Sequence, residues 1–174
     1  MAAGERCAGG RVNHNGGRGL PCGSERRAIA ARDKSEGELT AKMGGRRKRF
    51  TTPDGFALGA VVATPPGDKR QRAAIVLCSP RDTLESYDSL TVAMNKAGWA
   101  VLLLEVRGSG WSAAPACPVP ESWAGREDAM QTLCALDVRE AMRALALIAN
   151  IDTTRFVVVG VGSTAPIAVE TAHF

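Results

Sequence analysis

The sequence has few of the residues that catalytic and metal sites most often use. Its 174 residues include only two histidines, His14 and His173, and aromatic residues make up 5% of the chain. The five cysteines form no Cys-x-x-Cys pair, so the spacing typical of a structural zinc site is absent. No apolar run is long enough to span a bilayer, and the N-terminus lacks the hydrophobic core of a secretory signal. We therefore expect no metal, no membrane span and a cytoplasmic protein with reduced thiols.

The positive charge is concentrated near the N-terminus. Residues 1–50 hold twelve Lys and Arg against five Asp and Glu, whereas the remaining residues hold ten against thirteen. Residues 1–45 are rich in glycine and arginine and show no apolar periodicity, which predicts a disordered tail. Three alternatives stay open for this tail: a solvated segment, an artefact of a true start at Met43, and a segment that binds nucleic acid. We rank nucleic-acid binding last of these three. A fourth alternative, an organellar transit peptide, is not excluded, although the acidic residues of the tail argue against it.

From residue 46 onward, the pattern predicts alternating strands and helices in one domain, residues 46–174. Strands are predicted at 46–52, 56–64, 73–78, 99–104 and 156–159, and helices at about 82–97, at 127–149 and from 166 onward. Asp82 with Glu85 offers a capping box for the first helix, and a break in the second near Asp137 stays open. This order predicts a β-hairpin that feeds a parallel sheet with helices on both faces.

The last predicted strand leads into a glycine-rich turn. Its residues are β-branched and apolar, which predicts a strand buried on both faces. The turn formally fits the dinucleotide fingerprint Gly-x-Gly-x-x-Gly/Ala at Gly160, Gly162 and Ala165. It fails the nucleophile-elbow pattern Gly-x-Ser-x-Gly, because Gly162 occupies the serine position. Ser163 is then either a nucleophile shifted by one residue or, like Thr164, the N-cap of a helix that begins near Pro166.

Several segments of residues 46–174 together resemble the N-terminal part of the α/β-hydrolase superfamily. Residues 50–55 look like the first hairpin of that fold, and residues 74–79 with 85–87 look like its third strand and first helix. The most specific match runs from Glu105 to Ser112 and is similar to the family's Asp-x-Arg-Gly-x-Gly-x-Ser, with Glu105 for the aspartate. Residues 137–138 and 152–160 resemble the helix and strand that precede the elbow in acetyl-xylan-esterase-like and dienelactone-hydrolase-like members.

The resemblance implies an ancestral activity on carboxylic esters, with no cofactor and a small acyl ester as ligand. It places an oxyanion and pocket region at Cys78, Ser79, Gly160, Val161 and Gly162, and a structural loop at Arg107, Gly108 and Gly110. Arg107 is expected to tie this loop to neighbouring backbone rather than to bind an anion. Cys78 is interpreted as a buried small hydrophobe rather than a thiol nucleophile.

The departures from the family pattern predict an incomplete hydrolase. Cys78-Ser79 stands where the family has His-Gly, and Pro80 has no N–H to donate to an oxyanion. Gly162 stands at the nucleophile position, and the sequence stops before the family's acid and catalytic histidine. Two alternatives stay open: a pseudoenzyme that binds a ligand or partner, and a nucleotide-binding module built on residues 160–165. An open edge on the last strand also predicts self-association.

Two further interpretations concern pairs of side chains. Trp111 and Trp123 either line a pocket or cover the core, and the sequence does not separate these alternatives. Asp128 and Asp137 lie on a helix pattern, where solvated charge or capping is the ordinary explanation.

Overall fold

The structure, a computed structural model, describes residues 45–112, 123–148 and 150–173. The predicted tail, the alternative start at Met43 and the proline-rich loop that follows Ser112 lie outside the described residues. The elements, in chain order, are β1 (Arg46–Thr51), β2 (Ala57–Ala63), β3 (Gln71–Cys78), α1 (Asp88–Lys96), β4 (Trp99–Glu105), α2 (Glu127–Ala146), β5 (Ile151–Gly160) and α3 (Ala165–Ala172). Short 3-10 turns precede α1 at Leu84–Tyr87 and α3 at Gly162–Thr164. None of the described helices is both long and apolar enough to cross a bilayer.

The strands form one mixed sheet in the order β1-β2-β4-β3-β5. The first two strands are an antiparallel hairpin, and β2 pairs antiparallel with β4. The strands β4 and β5 flank β3, and both run parallel to it. This arrangement confirms the predicted hairpin feeding a parallel sheet. It also brings the carboxyl ends of β3, β4 and β5 to one end of the sheet, which is where open α/β sheets bind ligands.

Helices cover both faces of the sheet, because the central strands carry apolar residues on both sides. One core cluster joins the strands to α2 and α3 through Cys134, Val138, Ala141, Leu145 and Ile167. The other joins alternate strand residues to the segment around α1, including Leu84 and Tyr87. Successive side chains of a strand point to opposite faces, so neighbours such as Leu102 and Leu103 belong to different clusters.

Two predictions about the helices are wrong in detail. Asp82 and Glu85 do not form a capping box; the Asp82 carboxylate instead accepts a hydrogen bond from the Tyr87 hydroxyl at 2.8 Å. The second helix runs through Asp137 without a break, and Asp137 is buried rather than solvated. In both cases the aspartate binds a side chain of another segment: Asp82 binds Tyr87, and Asp137 binds Arg107.

The predicted burial of β5 on both faces is also wrong. Val157 is 40% exposed, and Phe156, Val158 and Val159 are only partly buried. Among the described residues β5 pairs with β3 alone, and α1 packs mainly against β4 rather than over β5. Because one side of the strand has no neighbour, its apolar run retains contact with solvent.

Candidate functional site

A cavity of about 540 Å³ lies where the carboxyl ends of the three parallel strands meet. Its walls come from the segments after β3, β4 and β5 and from the start of α2, and the lining residues are Pro80, Arg81, Val106, Trp123, Ala124, Glu127, Gln131, Ser163, Thr164, Pro166 and Ile167. The volume lies within the range of small-molecule sites. This cavity is the candidate functional site, and the turn after β5 forms one of its walls.

The turn after β5 has the backbone geometry of an elbow. Val161 is extended, Gly162 has a φ of 58°, and the chain enters α3 directly afterwards. A side chain on Gly160 would overlap the backbone of Thr164 and Ala165, with 2.9 Å from its Cβ to the Ala165 Cα. A Cβ on Gly162 would meet nothing within 4 Å. The two glycines therefore serve different purposes: close packing at Gly160 and a left-handed backbone at Gly162.

The Thr164 side chain fixes this turn. Its Oγ1 accepts a hydrogen bond from the Val161 N–H at 2.9 Å and lies 3.2 Å from the carbonyl oxygen of Leu77 on β3. Thr164 is 1% exposed, so this contact is shielded from water. The interaction explains the turn without a bound pyrophosphate, because it occupies the Val161 N–H and Gly160 is required for packing.

Ser163 is the only hydroxyl of the turn that faces the cavity in an exposed position. The only histidine among the described residues, His173, is exposed at the C-terminal end of α3 and is not one of the residues that line the cavity. The helix cap predicted for Ser163 or Thr164 is not made by a side chain: Thr164 occupies the N-cap position of α3 without a capping hydrogen bond, and its hydroxyl binds the preceding Val161 N–H instead. Without a base, a serine hydroxyl is a weak nucleophile at neutral pH.

The loop after β3 is hydrogen-bonded to the rest of the fold. The Ser79 N–H donates to the Tyr87 hydroxyl at 2.9 Å, and this hydroxyl in turn donates to Asp82. Burial, the largest cause, raises the pKa of Tyr87 to about 12, so it stays protonated. Burial also raises the pKa of the Cys78 thiol, which is 3% exposed. The loop therefore presents neither a free Ser79 amide nor a thiolate.

The loop after β4 is closed by its own backbone. The Glu105 carboxylate accepts a hydrogen bond from the Trp111 N–H at 2.5 Å, and the Gly108 N–H donates to the Ser112 carbonyl at 3.0 Å. Gly108 and Gly110 have φ values of 82° and 51°, which an L side chain rarely adopts. These contacts explain why glycines stand at both positions. Trp111 lies outside the cavity, under the guanidinium of Arg47 at 3.7 Å from the ring centre.

Arg107 binds carboxylates rather than the neighbouring backbone, which corrects the prediction for this residue. Its Nε and one terminal nitrogen donate to the two oxygens of Asp137 at 2.9 and 2.6 Å. Its other terminal nitrogen donates to Asp54 at 2.6 Å, in the turn between β1 and β2. The guanidinium also lies 4.5 Å from the centre of the Phe56 ring. This single side chain thus joins the hairpin turn, the loop after β4 and the middle of α2.

The two carboxylates differ in exposure and in pKa. The hydrogen bonds from Arg107 and Thr52 lower the pKa of Asp54 to about 2, although its side chain is 49% exposed. The Asp137 side chain is 3% exposed, and this burial raises its pKa against the opposing effect of Arg107. The sequence analysis missed Asp137 as a partner of Arg107. The signal available was an arginine, a residue that is always charged, directly after an apolar strand, because a buried guanidinium requires a carboxylate nearby.

The structure brings together only part of the predicted site. Ser163 lines the cavity, whereas Cys78 is buried and neither Cys78 nor Ser79 is among the lining residues. Arg81, Trp123 and Glu127 line the cavity and were not predicted as a group. No local motif marks these three residues, because Arg81 is distant along the chain from Trp123 and Glu127 and the fold brings them to one cavity.

The fold is similar to that of solved hydrolase structures. An α/β hydrolase from Penicillium sp. sh18, GrgF, matches at 15% identity with a TM-score of 0.56, over 75% of this chain and 42% of that one. An epoxide hydrolase from an endophytic Streptomyces matches at 24% identity with a TM-score of 0.53, over 75% of this chain and 34% of that one. An acylaminoacyl peptidase from Pyrococcus horikoshii matches at 17% identity with a TM-score of 0.53, over 72% of this chain and 20% of that one. The described residues have the α/β-hydrolase fold.

The similarity covers the N-terminal part of that fold. The chain spans less than half of the length of these three structures. No protein-family model matches the sequence, and no curated protein matches it either. At these identities the similarity shows the α/β-hydrolase fold alone, so activity must be argued from the elbow and its cavity.

The contacts of Arg107 predict unequal costs for two matched substitutions. We expect Asp137→Asn to lower the free energy of unfolding by roughly 3 kcal/mol, because it leaves part of a buried guanidinium without its counter-charge. Asp54→Asn should cost about 1 kcal/mol or less, since water screens that half-exposed pair. Urea unfolding at pH 7 measures both, and equal losses would contradict this account.

The pH dependence of stability provides a second test of the ion pair between Arg107 and Asp54. The folded-state pKa of Asp54 lies below its usual value of 3.8, so its contribution is fully present above pH 3.8. It is lost as the pH falls from there toward 2. The melting temperature of the wild type should therefore fall more steeply across this range than that of Asp54→Asn. Parallel curves would show that Asp54 does not carry this effect.

The elbow predicts that alanine is tolerated differently at its two glycines. Gly160→Ala should cost roughly 2–3 kcal/mol of unfolding free energy, because its Cβ overlaps fixed backbone. Gly162→Ala should cost about 1 kcal/mol, the strain of a left-handed backbone in open space. Urea unfolding of the two variants tests the order of these costs, and a larger loss at Gly162 would show that the turn is built differently.

Proposed function

We propose that this chain is an incomplete acyl-ester hydrolase with little or no turnover. The observation that carries the proposal is Gly162, which has the left-handed φ of an elbow residue but no side chain. In an elbow this position presents the nucleophile to the substrate. The neighbouring Ser163 lies one residue further on, at the entrance to α3, and is exposed.

The loop after β3 also offers little to stabilise the oxyanion that ester hydrolysis would form. An oxyanion hole needs backbone N–H groups that are free to bind the developing charge. The Ser79 N–H is bound to Tyr87, and Pro80 has no N–H. The only histidine among the described residues, His173, is exposed at the end of α3 and does not line the cavity. These observations support a chain with little ester hydrolysis.

A second candidate function is the non-catalytic binding of a small ligand in the same cavity. Its lining supports this alternative, because Arg81 and Glu127 supply opposite charges and Trp123 supplies an aromatic surface. Few polar groups on a largely apolar wall are typical of small-molecule sites. A short acyl ester or the corresponding carboxylate fits the resemblance of the fold and the cation at Arg81.

Hydrolysis of p-nitrophenyl acetate tests the first proposal. We expect the wild-type chain and Ser163→Ala to release nitrophenolate at the same rate, close to that of buffer, because neither has an activated nucleophile. Release should be followed at 400 nm, with bovine serum albumin of equal concentration as a control for nonspecific acylation. Saturable turnover that Ser163→Ala abolishes would establish Ser163 as a nucleophile and overturn the proposal.

Tryptophan fluorescence tests the second candidate function, the binding of a small ligand in the cavity. We expect butyrate and ethyl butyrate to change the emission of the wild type in a saturable manner, and Trp123→Phe to lose most of that change. Arg81→Gln should weaken the binding of butyrate about tenfold and that of the uncharged ester much less, since it removes a charge-assisted contact. No change at millimolar ligand would count against a binding function, and a saturable response to NAD would favour the nucleotide alternative instead.

A further inference from the structure

Another cavity lies on the α2 face of the sheet, near its β1 end, and has a volume of about 240 Å³. Seven of its nine lining residues are apolar, and two are cations. The lining residues are Lys48, Arg49, Phe50, Val62, Leu102, Ala144, Leu145, Leu147 and Ile148. None of them lines the candidate site, and the strands involved are the three furthest from β5 in the sheet order. The cavity is therefore a separate feature of the fold.

The cavity has a buried apolar floor and an open mouth. Val62, Leu102 and Leu145 are at most 6% exposed and form the floor. Leu147, directly after α2, is 89% exposed, more than any other exposed large hydrophobic residue among those that the structure describes. Isolated exposed leucines are common on protein surfaces, but this one continues an apolar wall that leads into a cavity. An apolar ligand that covered Leu147 would remove that surface from water.

The mouth also carries positive charge that no carboxylate neutralises. Phe50 packs against the core cluster that includes α2, and alternate residues of a strand share a face, so Lys48 and Arg46 lie on the side of the cavity. Both are exposed, and neither forms an ion pair with a carboxylate of the described residues. Arg49 lies on the other face, where its guanidinium donates to the Trp111 carbonyl. The charge available to a ligand therefore comes from Lys48 and Arg46.

We propose that this cavity binds a medium-chain fatty carboxylate, with the alkyl chain on the apolar floor and the carboxylate beside Lys48. An apolar cavity of about 150 Å³ accommodates the six carbon atoms of benzene. At the same ratio, a volume of about 240 Å³ accommodates about ten non-hydrogen atoms, which is the size of octanoate. The chain, rather than the carboxylate, contacts Leu147 and Ile148, because the last carbonyl groups of α2 disfavour a negative charge.

Charge and depth distinguish this ligand from the alternatives. An amine with the same chain would be repelled by Lys48 and Arg46, and an uncharged chain would gain nothing from them. A polyanion such as nucleic acid would use the cations and leave the apolar floor empty. The surface of an anionic bilayer offers both chemistries, but the floor is buried, so a single chain can reach it and a flat surface cannot.

Isothermal titration calorimetry of the full chain with carboxylates of increasing length tests this proposal, which does not depend on the proposed function. At pH 7 and physiological salt, the affinity should increase about tenfold for each two methylenes added from butyrate to octanoate, because each adds buried apolar surface. Dodecanoate should gain little over octanoate, since the cavity is then full. Absence of octanoate binding at millimolar concentration, or an affinity that does not depend on chain length, would overturn the proposal.

Two matched lysine variants assign the binding to this cavity. Lys48→Gln should weaken octanoate binding about fivefold, since it removes an exposed ion pair. Lys96→Gln is the control: it removes an exposed lysine on α1, on the other face of the sheet, and should bind octanoate like the wild type. Lys48→Gln should also leave the emission change of Trp123 with butyrate unchanged, which separates this cavity from the candidate site. Equal octanoate affinities of the two variants would contradict the assignment.

A third variant fills the cavity. Ala144→Phe places an aromatic ring at its partly buried wall and should abolish octanoate binding. A circular dichroism melt shows whether this variant is folded, and the lysine variants decide if it is not. Co-sedimentation with phosphatidylglycerol vesicles tests the bilayer alternative: the wild type should remain in the supernatant. Binding to vesicles without binding to free octanoate, or octanoate binding that persists in folded Ala144→Phe, would overturn the proposal.

Discussion

The guanidinium group of Arg107 holds the candidate site to the rest of the fold. It leaves the carboxyl end of β4 and reaches Asp54, 53 residues earlier, and Asp137, 30 residues later. Because the planar fork contacts both oxygens of Asp137, a lysine could not make the same contacts. Val106, which lines the cavity and is 3% exposed, directly precedes this anchor. The position of one cavity wall therefore depends on a buried charge as much as on apolar packing.

The elbow shows that the geometry of a catalytic turn and its chemistry can separate. Its shape comes from the missing side chain of Gly160, the buried hydroxyl of Thr164 and the left-handed backbone of Gly162. None of these features requires a nucleophile, and each stabilises the turn by itself. The sheet and the geometry of the elbow are therefore present in a chain that has glycine at the tip of the turn. The similarity of the fold therefore predicts the backbone geometry of the turn, whereas the reaction must be inferred from the side chains at the site.

Local patterns predicted most of the fold, and contacts between distant segments explain what they missed. Apolar runs bounded by glycine and proline predicted β2, β3, β4 and the carboxyl half of β5, because burial and turn chemistry are encoded within a few residues. The charged strand β1 was also predicted, whereas β5 begins at Ile151, five residues before its predicted start. Asp137 was misread as solvated, since nothing within its helix shows that Arg107 lies opposite. The same limit applies to the cavity: Arg81 comes from the loop after β3, whereas Trp123 and Glu127 come from the start of α2. The apolar run of β5 was read as fully buried, because sequence shows hydrophobicity but not the number of neighbouring strands.

The exposure of β5 and the state of the elbow are connected, because the strand ends at Gly160, where the elbow begins. A strand paired on one side is restrained mainly by that neighbour; here the Thr164 contact with Leu77 is the elbow's link to β3. A second strand along β5 would add backbone hydrogen bonds up to the residue before Val161. Opening of local structure becomes less frequent as such contacts accumulate. The backbone of Gly162 and Ser163 is therefore held at the cavity by the contacts with β3 and, in addition, by any strand that pairs with the other side of β5.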